Sequence, residues 1–245
     1  MESFFFELCL ILFFAAFIHG GVGFGFPIIA TPLIALFTDI QTAIIYTLIP
    51  TLFVNIISIA SEGNFFNALK RFYPLALFTV VGSAIGTQIL IVSNSEVFKL
   101  FLAFMIIFYL FMDKLKLSIS YIKKEPKKSM AIFGFIGGVV GGLTNAIAPI
   151  VIIFSMESKY TKKEMIQASN LCFLFSKLTQ ITLFILSSSL TVDIASDSFL
   201  TIFAVLFALF LGIKLKRVIP ENLYKKILKA ILFVIAMVLF YQVLV

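Results

Sequence analysis

The chain has 245 residues, 61% of them hydrophobic and 13% charged, with a formal net charge of +7. A soluble domain is about half apolar and roughly a quarter charged, and a chain this short cannot hide such an excess behind a water-facing shell. A soluble enzyme, a nucleic-acid binder and a secreted disulfide scaffold are excluded, and the solvent is a lipid bilayer.

In chain order, apolar stretches fall at about 3–18, 27–37, 41–61, 73–92, 97–112, 130–143, 149–156, 165–187, 199–213 and 227–244. A spanning helix needs about 20 residues. The segments 41–61, 73–92, 165–187 and 227–244 qualify, and 97–112 and 199–213 nearly do. The segments 27–37 and 149–156 are far too short. Both follow Gly-rich breaks and both begin at a proline, Pro27 and Pro149. Cys9 and Cys172 lie inside apolar runs without metal-ligand spacing and read as small hydrophobic fillers. With no nucleophile–base pair, Walker loop, Gly-x-Ser-x-Gly elbow or HExxH, neither catalysis nor a cofactor is expected, and His19, the lone histidine, rules out a multi-His metal centre.

The two short segments are one feature met twice. Pro27 and Pro149 are 122 positions apart, and at that offset His19 and Gly20 fall on Gly141 and Gly142, Thr47 on Ser169 and Asn55 on Lys177. Farther along the best offset is 125, which sets Glu96 on Glu221 and Met112 on Met237. A duplicated unit follows, with residues 1–122 as the first transmembrane repeat and 123–245 as the second. If each break-containing stretch enters, breaks and returns, the connections 62–72, 113–128, 157–164 and 214–229 share a side and hold 17 of the 19 Lys and Arg. Cytoplasmic loops collect such residues, so this face is expected in the cytoplasm. Each half then has three spanning helices and the halves are inverted repeats, an all-α architecture found in many secondary transporters.

Nine of the 13 glycines form two clusters, Gly20, Gly21, Gly23, Gly25 and Gly134, Gly137, Gly138, Gly141, Gly142. Gly134, Gly138 and Gly142, spaced by four, suit close helix packing. Gly21-Val-Gly23-Phe-Gly25-Phe-Pro27 is poor helix sequence, and non-helical backbone inside a bilayer must be buried in protein or line a polar cavity. Pro27 and Pro149 suit the first turn of a helix, whose positive end favours an anion. Lys177 lies near the middle of a spanning run, where a lysine costs about 3 kcal/mol. No Asp or Glu lies in the central part of any full span to pair with it. An anionic substrate is therefore its expected partner. Asn55, Ser169, Asn170, Ser176 and Gln180 are expected to add neutral hydrogen bonds, or to join helices. His19, beside the first break, reads as either a proton relay or a cap on frayed carbonyls.

Two half-chain repeats, each opening with a Gly-rich break, a proline and a short apolar helix, resemble the sulfite exporter TauE/SafE family. The carrying residues are Ala16-Phe-Ile-His-Gly-Gly-Val-Gly-Phe-Gly-Phe-Pro27 and Gly134-Phe-Ile-Gly-Gly-Val-Val-Gly-Gly-Leu-Thr-Asn-Ala-Ile-Ala-Pro149. The resemblance covers essentially the whole chain and implies a membrane transporter of anions such as sulfite or organosulfonates. The second half departs from the family pattern, with Asn145-Ala-Ile-Ala before its proline. The expected protein is a multi-pass transporter of the cell membrane, the cytoplasmic membrane in a prokaryote. It exports a small sulfur-containing anion on an ion gradient or the membrane potential. Its partners are that anion and the lipid bilayer, with no nucleic acid. The substrate-binding candidates are Lys177, Asn55, Asn170, Gly21, Gly23, Gly25, Gly141, Gly142 and Asn145. A passive anion channel and a non-transporting membrane subunit are the competing readings.

Overall fold

The structure is a computed structural model that describes residues 2–93, 96–112, 119–216 and 221–244, all-helical among those residues. The helices are α1 Glu2–Val22, α2 Phe26–Ala35, α3 Ile40–Ser61, α4 Phe65–Val92, α5 Glu96–Phe111, α6 Ser120–Lys124, α7 Pro126–Thr144, α8 Ala148–Glu157, α9 Lys162–Leu186, α10 Val192–Leu200, α11 Ile202–Leu215 and α12 Glu221–Leu244. Six spans are long and apolar enough to cross a bilayer: Phe4–Val22, α3, α4, α9, Val192–Leu215 and Lys226–Val243. Six spanning helices were expected, but the set differs. At 16 residues and about 1.5 Å of rise each, α5 covers only about 24 Å, while α1 alone reaches spanning length. The expected 199–213 segment lengthens because α10 leads into α11 through Thr201.

Short polar residues start the helices. Asp39 accepts from the Thr42 amide at 3.0 Å, Asn64 from the Asn67 amide at 3.2 Å, and Thr161 with Glu164 forms a reciprocal capping box at α9. Pro27 and Pro149 sit in the first turns of α2 and α8. The first break is narrower than its sequence suggests. α1 continues through Gly20 and Gly21 to Val22, leaving residues 23–25 outside helix. Gly20 packs face to face with the backbone of α11 at Leu209 and Gly212, so this glycine serves close approach rather than a turn. The second break, residues 145–147, opens at Asn145 in the left-handed region (φ 68°).

Packing repeats across the chain. Gly20 faces Leu209, Gly212 and Ile213, and Gly142 faces Ser83, Gly86 and Thr87. The two glycines are 122 positions apart, and each partner pair (83 and 209, 86 and 212, 87 and 213) is 126 apart. α1 runs parallel to α11, with Phe13 against Phe207 and Gly20 against Gly212, and α7 likewise runs parallel to α4. α3 and α9 run antiparallel. Gln41 bonds Ser189 at one end, while Gly63 meets Lys163 at the other. Phe26, Phe72, Phe154, Phe173 and Phe184 are fully buried, whereas Phe203 is 80% and Val192 85% exposed. Such an apolar outer surface suits lipid.

Candidate functional site

At the second break, Lys177 of α9 is fully buried. Its ammonium donates to Asn145 Oδ1 and Gln180 Oε1, and no carboxylate lies within ion-pair reach among the described residues. Asn145 in turn donates through Nδ2 to Thr31 Oγ1 at 2.7 Å and Thr47 Oγ1 at 2.9 Å. Gln180 Nε2 donates to the Gly141 and Gly142 carbonyls at 3.4 Å. Four elements thus meet around one cation held only by neutral oxygens. A buried charge normally needs a counter-charge, and this cluster supplies none.

At the first break, His19 Nδ1 accepts from the Phe26 amide at 3.0 Å, and its Nε2 lies 2.8 Å from Ser58 Oγ. Because Nδ1 accepts, the ring proton sits on Nε2 and is donated to Ser58. His19 therefore holds a buried amide in the first turn of α2, not the frayed carbonyls that its position suggested. Asn170 Nδ2 donates at 2.8 Å to the Gly23 carbonyl and, at the same distance, to that of Ile166. Gly25 caps α2 at φ 109°, a conformation that glycine reaches without steric cost.

The candidate residues therefore form two groups rather than one. Lys177, Asn145, Gly141 and Gly142 gather at the second break, and His19, Gly23, Gly25 and Asn170 at the first. Gly21 is a buried helical residue of α1. Along α3, Ser58 marks the first break and Thr47 the second, about 16 Å apart at 1.5 Å per residue. Between them lies Asn55, fully buried, with neither amide atom partnered among the described residues; Asn170 Oδ1 and Ser169 Oγ are likewise buried and unpartnered among them. Thr31 and Ser58 were not singled out in the sequence, and Thr47 only as the repeat mate of Ser169, since hydroxyls are common in spanning helices. A cavity of about 400 Å³ reaches the first break and is lined by His19, Gly20, Gly23, Ser58, Ser61, Glu62, Ile213 and Lys216.

The profile of the family described as Sulfite exporter TauE/SafE matches residues 8–239. The chain belongs to the TauE/SafE family. That family is one of membrane transporters of sulfite-type anions, in keeping with the six spanning-length helices of this TauE/SafE protein. No individual curated protein and no solved structure matches the chain.

Proposed function

We propose that this TauE/SafE protein is a secondary transporter that exports a small sulfur-containing oxyanion or sulfonate. One observation carries the reading: the buried ammonium of Lys177 has only neutral partners. A tetrahedral or pyramidal oxyanion supplies both the missing charge and acceptors for the remaining N–H. Asn55, with both amide atoms unpartnered, offers further hydrogen bonds between the two breaks. The antiparallel α3 and α9, and the two glycine contacts at matching offsets, support reading the halves as inverted repeats with returning α2 and α8. The lysine-rich connections support a cytoplasmic side for one face of a protein of the cell membrane. With no ATP-binding element in the sequence, the driving force is an ion gradient or the membrane potential. His19 is the coupling candidate, because a proton on Nδ1 breaks its bond to the Phe26 amide.

Reconstituted vesicles given sulfite, sulfate, an aliphatic sulfonate or chloride test this reading. Flux of a sulfur-containing anion should exceed that of protein-free vesicles, and a pH gradient should alter it less in His19→Gln. Lys177→Met removes the insertion cost, so folded yield should hold or rise while transport per molecule falls at least about tenfold. Lys177→Arg keeps the charge on a planar fork and should retain part of the flux with altered selectivity. Normal transport by Lys177→Met would falsify the counter-charge role. Single-channel currents would identify a passive pore instead, and flux only with a second protein would identify a subunit.

A further inference from the structure

The cavity at the first break carries a feature that the Lys177 cluster does not use. Its mouth is spanned by an ion pair, Lys216 Nζ to Glu62 Oε1 at 3.0 Å, with side chains 30% and 21% exposed. Lys216 caps the end of α11 and Glu62 the end of α3. Below them, Ser61, Ser58 and His19 lead down to Gly23. The path then continues past Ser58 to Asn55, one turn along α3, and past the Gly23 carbonyl to Asn170 on α9. From Asn170 to Lys177 is two helical turns on the same face. Among the described residues, buried polar atoms without partners occur on Asn55, Asn170 and Ser169 of this stretch, and also on Thr87 and Ser155 elsewhere.

We infer that the cavity is a second anion site, an outer station where a small oxyanion binds Lys216, and that Glu62 is its tethered competitor. The inference rests on the transport reading above. A carboxylate on a lysine presents the same sign of charge and the same kind of oxygen acceptor as a sulfite-type anion. Glu62 therefore occupies the place that an arriving anion must take. Displacing it frees the mouth, and the anion's departure lets Glu62 close on Lys216 again. With side chains 30% and 21% exposed, the pair keeps a path to water by which to exchange, unlike the fully buried contacts of Lys177. The mouth lies at the ends of α3 and α11 that adjoin the lysine-rich connections 62–72 and 214–229, so the station serves that face.

The test is flux from vesicles in which that face meets added sulfite, comparing wild type, Glu62→Gln and Lys216→Met. Removing the competitor should lower KM roughly two- to fivefold, and removing the cation should raise it by a similar factor, the order expected for a partly exposed charge pair. KM measured from the other face should not move. Shifts of the same sign in both variants, or no shift in either, overturn the inference, because a simple clasp between α3 and α11 loosens alike when either partner is lost. Should Lys216→Met fold poorly, Lys216→Gln and the sulfite-induced rise in Tm of purified Glu62→Gln give the same readout. Absence of flux in the wild type overturns the transport reading itself and this station with it.

Discussion

Asn145 bonds in three directions with one side chain. It accepts from Lys177, donates to Thr31 and Thr47, and closes α7 in a left-handed conformation. Asn145→Asp would place a carboxylate where we assign the anion. Its Tm should match or exceed wild type, sulfite should no longer raise that Tm, and flux should fall at least about tenfold, since 1.4 kcal/mol of competition suffices. An Asp variant that sulfite still stabilises as it does wild type would remove Lys177 from the binding site. Asn145→Ala leaves Lys177 with Gln180 alone and puts alanine at positive φ, costing about 2–4 kcal/mol. At this scale the sequence was half legible. Lys177 stands out because a lysine amid apolar residues is expensive. Thr47 and Ser58 do not, because such hydroxyls ordinarily turn back onto their own helix, as Thr47 also does to the Ile44 carbonyl.

The α4–α7 seam shows what spacing by four is for. Gly134, Gly138 and Gly142 face the α4 backbone at Leu75, Thr79 and Ser83, and Gly82 and Gly86 answer from α4. Gly137 points elsewhere, toward Ile150 at an ordinary 3.5 Å. Gly138→Ala should therefore destabilise by about 1–3 kcal/mol through forced separation of the helices, whereas Gly137→Ala should stay within about 0.5 kcal/mol. Thermal unfolding in detergent separates the two, and equal losses would contradict the seam. The helices and both breaks were readable from apolar length, glycine and proline. Three details were not: the persistence of α1 through Gly20 and Gly21, the run of α10 into α11, and the Glu62–Lys216 pair. The first and the last depend on a distant partner, the last across 154 positions, and local sequence carries no record of it.

For the molecule as a whole, the lysine distribution predicts its sidedness. Cysteines introduced at exposed Lys70 and Lys127 should react with an impermeant thiol reagent only from the cytoplasm, and one at Asp193 only from the opposite side. Labelling of Lys127→Cys from the same side as Asp193→Cys would show that the α7–α8 stretch of the second half crosses instead of returning as proposed. The antiparallel pair α3 and α9 holds both breaks, each helix touching both of them. On α3 the two contacts sit about 8 Å to either side of a midpoint near Leu52, taking about 1.5 Å per residue. A tilt of about 10° about that midpoint carries them roughly 1.4 Å in opposite directions, enough to break a 2.8 Å hydrogen bond at one end. α3 is in this sense the beam of a balance. Were α3 to tilt as one rod despite Pro50 inside it, lifting Ser58 from His19 would press Thr47 toward Asn145, and the two breaks would loosen in turn rather than together.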